Sequence, residues 1–453
     1  MIKIKPTLSE GTRDFLPNEV AKRNYIFDTI KTVLKKFGFE EIQTPALEKL
    51  ETLQGKYGDE GDKLLFKIRS NKNLYSNLSN EVKETLLKEY PYDFIPKASD
   101  KGLRYDLTVP LARYVVQHQD KLAFPFKRFH IGQVWRGDKP QKGRYQEFYQ
   151  CDADVIGSTS LLNEVELTKI YVEVFEKLQL PVLIKINNRK LIDEIFNAVG
   201  ITDKKTATIT IVDKEDKIGW QGVKEQLIKL ELSEKQIADL HGHLFNKNYF
   251  GFKELFQDSV AAKEVDEVMS YFDKVPSVTF AASLMRGLDY YTGTIWEVVL
   301  HQSLITNHQL TIGSLGGGGR YDNLTEMFGG QNMSGVGISF GIERIYDVME
   351  ELNLFPETIS QGVKILFVPR DETVQEFTFS QVQKLRDENI SAEIFLGNVK
   401  KQKQFTYAEQ KNISYLVEVG GDEIQSGKFR LRNAKTRETE TDLSIQQIIE
   451  KLK

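Results

Sequence analysis

The sequence predicts an α+β protein in which a main domain built round a long antiparallel hairpin is interrupted by an inserted module and followed by a compact α/β domain. Three observations carry that reading. Apolar and polar residues alternate through 126–136 and again through 145–157, and the link between them holds Gly137, Pro140 and Gly143, the pattern of two paired strands with an extended loop. From about 183 to 275 charged helical patterns alternate with short apolar runs, which marks a separate module set into the main one. Beyond Gly362 strand and helix patterns alternate over ~90 residues, an ordinary domain length. The expected division is therefore a main domain over 1–350, a linker over 351–362 and a second domain over 363–453.

A chain of 453 residues, 40% hydrophobic and 28% charged, has the composition of a soluble globular protein with a large core. Its net charge of -4 argues against a wholesale nucleic-acid coat, while basic clusters at 121–144, 400–403 and 428–437 leave room for local phosphate-binding faces. Cys151 is the single cysteine, so no internal disulfide or cysteine zinc site can form, and it reads as a small core residue. No apolar run reaches membrane-spanning length and no signal-type segment opens the chain. A cytoplasmic location without a membrane partner is expected.

Residues 10–17 form a polar turn segment. Val20, Phe27, Ile30, Leu34 and Phe37 then recur at helical spacing and Gly38 follows as a stop, predicting an amphipathic helix over 18–37. A short strand over 39–44 ends at Pro45, which cannot donate to a ladder and so belongs at a strand end or an edge, a place for a subunit contact or a plain turn. The stretch 58–101 is polar around a helix expected at 80–90. Residues 103–110 read as a strand ending in Pro110, with Arg104, Asp106 and Thr108 on one face that lines a pocket or meets solvent. Helices are expected over 111–118 and 161–178. His241 and His243, two apart on a helix, point to different faces and read as solvated residues, so no metal site is expected.

Arg128, Arg136 and Arg144 all lie on the hairpin. Guanidinium groups fork onto phosphate or carboxylate oxygens and keep their charge, so three of them beside a flexible basic loop suit a polyphosphate; a solvated edge hairpin would carry the same residues. After the insert come Arg286, Asp289, Tyr290 and Tyr291, a polar aromatic corner fit to grip a heteroaromatic ring or to shape a turn. Gly316 to Gly319 allows close backbone approach just before Arg320. A glycine-punctuated strand over 334–340 then runs into a helix from Gly341 through Met349. Arg344 in its first turn lies over a nucleotide or pairs with Glu343 or Glu350.

Trp135-Arg136-Gly137-Asp138, the run from Arg286 to Gly293, that from Gly317 to Asp322, and Gly341 to Arg344 together resemble the histidyl-tRNA synthetase family of class II aminoacyl-tRNA synthetases. The resemblance runs from Gly11-Thr12-Arg13-Asp14 to the C-terminus, and the wording of 103–113 and 147–152 is closer to the family's eukaryotic-like branch. It implies the class II fold, an antiparallel sheet flanked by helices with an inserted helical module and a C-terminal α/β anticodon-binding domain, in a homodimer with Pro45 at the interface. It also implies a ligase that joins histidine to ATP, releases pyrophosphate and passes the histidyl group to the 3′-end of tRNA(His), with Mg²⁺ accompanying ATP.

By the same resemblance Arg136 and Arg286 are catalytic, steadying the α-phosphate while the carboxylate attacks. Asp106, Thr108 and Gln150 receive the α-amino group, with Leu107 lining the histidine site beside Arg136 and Arg286. Asp154, Tyr290 and Tyr291 read the imidazole. Arg136, Asp138, Arg144 and Arg344 hold ATP, the last stacking on adenine; Asp138 stands where the general class II pattern has glutamate. The synthetase-like regulatory subunit of ATP phosphoribosyltransferase shares the fold, but normally lacks the C-terminal domain and has degraded histidine-site motifs; this chain keeps both.

Overall fold

The computed structural model describes residues 5–56, 58–68, 79–80, 99–141, 143–245, 259–285, 291–304, 313–323, 325–330, 333–360, 362–397 and 401–453. The helix expected at 80–90, all but its first residue, and the stretch 286–290, with Arg286 and Tyr290, lie outside them. Two units emerge, one of residues up to Asp14 with Ile26–Leu354, the other of Phe15–Tyr25 with Phe355–Lys453.

Helix α1 (Pro17–Lys36) forms where Ile26, Ile30, Val33 and Leu34 give one buried stripe. Pro17 loses no hydrogen bond at the first helical position, and Lys35 and Lys36 complement the negative end of the helix dipole. Short strands follow among the described residues: β1 (Glu40–Glu41), β2 (Leu47–Lys49), β3 (Lys67–Ile68) and β4 (Lys101–Leu103). Of the strand expected over 39–44, only Glu40 and Glu41 pair. The strand expected over 103–110 stops at Leu103, because Asp106 Oδ1 accepts from the Val109 N–H at 3.1 Å and turns the chain into helix α2 (Thr108–His118). Pro110 sits in that helix's first turn, where the N–H it lacks has no partner to lose.

The hairpin consists of β5 (Phe126–Trp135) and β6 (Glu147–Ile156), paired antiparallel along their full lengths. Helix α3 (Leu162–Lys177) leads to β7 (Val182–Asn188), and the described residues beyond it form helices α4 (Arg189–Val199), α5 (Lys205–Val212), α6 (Glu215–Lys229), α7 (Glu234–Phe245) and α8 (Val260–Ser270). These helices share one core that includes Leu191, Phe196, Ile209, Val223, Leu227 and Leu240. Apolar strands expected between them are absent among the described residues: β7 belongs to the main sheet, and the run at 207–212 is helical, with Thr208, Ile209 and Val212 buried at helical spacing. The chain returns through β8 (Val278–Phe280), β9 (Thr294–Leu300), β10 (Gly316–Tyr321) and β11 (Gly335–Gly341), then helix α9 (Ile342–Glu351).

The main sheet runs β1-β5-β6-β11-β10-β9-β7-β8, antiparallel except where β1 meets β5 and β8 meets β7. Alternation gives it two unlike faces. Phe129, Cys151, Ala153, Val155, Ile338, Phe340 and Trp296 project to one, and α3 covers it: the Tyr171 ring lies 4.9 Å from that of Phe340, and Trp296 Nε1 donates to Thr168 Oγ1 at 2.9 Å. Cys151 is fully buried there as a free thiol, and burial pushes its pKa far up. The other face carries Arg128, His130, Gln150, Asp152, Asp154, Gly337 and Ser339 in facing register. A sheet interior this polar calls for a function, since buried charge is costly.

In the second unit β12 (Ile365–Pro369), helix α10 (Gln375–Asp387), β13 (Ala392–Ile394), α11 (Lys401–Gln410), β14 (Tyr415–Val419), α12 (Gly421–Ser426), β15 (Phe429–Asn433), β16 (Thr439–Leu443) and α13 (Ile445–Leu452) alternate as the sequence predicts. The sheet order is β13-β12-β14-β15-β16, parallel through the first three strands and antiparallel through the last two pairings. Phe367, Val417, Phe429 and Ile448 centre its core.

Candidate active site

Asp154 anchors the polar face. Its Oδ2 lies 2.6 Å from Arg128 Nη2, its Oδ1 accepts from the Tyr321 hydroxyl, and all three side chains are almost wholly buried. Burial raises the Asp154 pKa, while the Arg128 charge and the Tyr321 hydroxyl oppose the rise. Glycine makes this packing possible. A Cβ on Gly337, opposite Asp154 in register, would stand 1.9 Å from Oδ1, and one on Gly319 would stand 2.4 Å from the Tyr291 ring. The glycine cluster is thus a buried central strand rather than a loop, and its bare backbone leaves the space that Asp154 and Tyr291 fill. Arg320 faces the other way, its Nε bound to Glu164 Oε1 of α3 at 2.6 Å, so it braces the scaffold.

Two residues along β6 from Asp154 lies Asp152, and two further Gln150, whose Nε2 donates to Ser339 Oγ at 3.3 Å. Burial first, then the Asp154 charge, pushes the Asp152 carboxyl up to about 7, against Arg128 and a hydrogen bond from Ser339. Opposite it, His130 is held neutral: burial and the charges of Arg128 and Arg104 push it down to about 3. Arg104 is buried too, its Nε donating to the Gln133 carbonyl at 2.7 Å and its Nη1 to the Thr44 carbonyl at 2.7 Å. The turn residue Asp106 is buried on the near side of Asp152 and acts on its charge. Leu107 is fully buried, and Thr108 opens α2.

At the loop end of the hairpin Arg136 lies with its guanidinium carbon 4.3 Å from the centre of the Tyr105 ring and 5.2 Å from that of Phe148, while its Nε donates to the Tyr105 carbonyl at 3.1 Å. Two aromatic faces and one carbonyl fix a cation in place without neutralising it. In the following loop Arg144 Nη2 meets Asp138 Oδ1 at 2.8 Å, and Gly143, at a φ of +73°, turns the chain back under Arg344. Arg344, in the first turn of α9, donates from Nη1 to the Ser314 carbonyl at 2.7 Å and from Nε to the Gly143 carbonyl at 3.3 Å. Its neighbour Glu343 pairs with Arg13, whose guanidinium lies 3.6 Å from the centre of the Tyr145 ring. The N-terminal Gly11–Asp14 segment thereby locks the hairpin loop to α9.

The structure places Gln150 and Asp154 on one face of β6, with Tyr291 over Gly319 on the same sheet and Asp106 near enough to act on Asp152, and gathers Arg136, Asp138 and Arg144 around Tyr105, where each acts on that ring's hydroxyl. Sequence reasoning passed over Arg128 and Tyr321 as supports of Asp154, Tyr105 and Phe148 as the seat of Arg136, and Asp152 with Ser339. The signal for Asp152 was present: residues 150, 152 and 154 alternate along a strand. Among the described residues no cluster of His, Cys, Asp or Glu is arranged to hold a metal ion.

The family model described as histidyl-tRNA synthetase matches residues 11–75 and 95–345, and the one described as anticodon binding domain matches 362–453. A histidine–tRNA ligase of Christiangramia forsetii is 45% identical over 449 residues, 96% of each chain, and one of Bacteroides fragilis is 45% identical over 446 residues, again 96% of each. The crystal structure of histidyl-tRNA synthetase from Nostoc sp. PCC 7120 superposes with a TM-score of 0.79 at 27% identity, covering 99% of both chains. The polar sheet face packed over glycine, the arginine seated at the hairpin's loop end and these matches along the chain lead to one conclusion: the chain belongs to the histidyl-tRNA synthetase family.

Proposed function

We propose that the chain is a histidine–tRNA ligase that activates histidine with ATP, as its magnesium complex, and passes the histidyl group to tRNA(His). The observation that carries this reading is the Asp154 carboxylate, buried and fixed between Arg128 and Tyr321 over Gly337, with Tyr291 over the neighbouring Gly319. A buried acceptor of this kind binds an imidazole N–H and rejects side chains that leave it unpaired, so selectivity arises at the first step.

The reaction asks for positioning more than for a base. A histidine carboxylate is already ionised, and its attack on the α-phosphate piles negative charge onto phosphate oxygens as pyrophosphate leaves. Arg136, held by two rings and one carbonyl, keeps its charge for those oxygens. Asp106, Thr108 and Gln150, with Leu107 behind them, receive the α-ammonium. Arg286 and Tyr290, outside the described residues, are assigned by resemblance to the α-phosphate and the imidazole. Asp138, Arg144 and Arg344 take the nucleotide: the Asp138–Arg144 pair frees Arg144 for the phosphate tail when it opens, and Arg344, held flat by two carbonyls, offers its face to adenine. Residues 363–453 are proposed to bind the anticodon stem, and the active form to be a cytoplasmic homodimer with exposed Pro45 at its interface.

ATP–pyrophosphate exchange, measured with the purified chain and each of the twenty amino acids, tests the first step. Exchange with histidine alone is expected; exchange with a second amino acid, or none, would refute it. Charging of a tRNA(His) transcript tests the second.

A further inference from the structure

We propose that Asp152 is a further residue of the amino-acid site and that it releases a proton to solvent when the α-ammonium group of histidine binds. The inference rests on histidine being the substrate. Gln150 and Asp152 project from one face of β6 toward Ser339, whose hydroxyl accepts from Gln150 and hydrogen-bonds Asp152. Each keeps one buried oxygen, Gln150 Oε1 and Asp152 Oδ1, without a hydrogen-bond partner among the described residues. Two buried acceptors on one wall call for a donor with several N–H groups, and an ammonium carries three.

The charges around Asp152 decide its state. Arg128 and His130 face it from β5, Asp154 and Gln150 flank it on β6, Ser339 faces it from β11, and Asp106 and Arg104 approach from the segment between β4 and α2. His130 is neutral, Arg104 is spent on two carbonyls, and Arg128 is committed to Asp154 at 2.6 Å. Without the ammonium an ionised Asp152 is buried beside Asp154 and Asp106 with little compensation, and burial first, then those charges, push its carboxyl up to about 7. The arriving ammonium supplies the missing positive charge. The O–H bond of Asp152 breaks, its proton goes to solvent, and the carboxylate accepts from the ammonium, which keeps all its own protons. Histidine affinity then weakens as pH falls below neutrality, by up to about tenfold per unit.

Calorimetric titration of histidine into the full-length chain, in two buffers of different ionisation enthalpy, counts the protons released. The titration of histidine itself is common to every variant, so the comparison with Asp152→Asn isolates this carboxyl. At pH 7 the wild-type chain is expected to release about half a proton more than D152N, the excess fading by about pH 9, and D152N to bind histidine several-fold more weakly. Ser339→Ala, which removes the bond that favours the ionised form, should move the midpoint of release to higher pH, and serves alone if D152N does not fold. Equal proton counts in wild type and D152N, or an unmoved midpoint in S339A, overturn the proposal. A wild-type chain that fails to bind histidine at all overturns the substrate reading as well.

Discussion

At Gly337 a single methyl group decides whether the proposed imidazole acceptor, Asp154, can stand where it does. A Cβ there would occupy the place of Asp154 Oδ1, so the carboxylate must swing away from Arg128 and Tyr321 or the sheet must part. Swinging a buried carboxylate off its cation leaves both unpaired, at a cost of about 3–5 kcal/mol. Gly337→Ala is therefore expected to lower kcat/KM for histidine in pyrophosphate exchange by at least about a hundredfold, mainly through KM, while circular dichroism stays native-like; wild-type kinetics would show that Asp154 is not the reader. Much of this was legible at the residue scale. Gln150 and Asp154 were named through the resemblance, and both lie on one face of β6. Arg128 reads in the sequence as one of three arginines for a polyphosphate and instead lies buried against Asp154; Asp152 was given no role, because a carboxylate at a strand position looks like any solvent-facing one until register sets it opposite His130 and two residues from Asp154.

Elements were most legible where one periodicity ran unbroken. The paired strands β5 and β6, helix α1 and the alternation beyond Gly362 follow their patterns closely. The strand expected at 103–110 failed for a local reason: Asp106 binds the N–H three residues on and starts a helix, so the alternation of Arg104, Asp106 and Thr108 is accidental. Glycine likewise read as a loop in β10, where it serves close packing inside a sheet. Helix ends were readable in principle. Ser444 and Gln447 form a reciprocal capping box at the start of α13, whose Ile448, Ile449 and Leu452 fill the core of the second unit. Ser444→Ala should destabilise that unit by about 1 kcal/mol in urea unfolding and leave histidine-dependent pyrophosphate exchange unchanged; a parallel loss of exchange would mean that the cap serves the active site.

On the scale of the whole molecule, the sequence placed a linker over 351–362, and the structure forms one unit that ends at Leu354 and another in which Phe15–Tyr25 groups with the later residues, a membership the sequence left unforeseen. Such membership depends on packing between distant segments, which periodicity does not encode. The same distance in sequence separates Arg13 from Glu343, whose pairing ties a turn at the N-terminus to the helix that presents Arg344. The lone thiol of Cys151, sealed between the central sheet and its covering helix, has a practical consequence. It acts as a clock on the opening of the catalytic sheet: a thiol-specific reagent reacts only in molecules whose sheet has parted, and no other cysteine blurs the signal. Labelling in native buffer should be at least about a thousandfold slower than in denaturant, quicken in G337A and keep its wild-type rate in S444A. Fast labelling of the native chain would reveal a sheet that breathes, and saturating histidine should then slow it, turning one atom of sulfur into a direct assay for occupancy of the site on the opposite face.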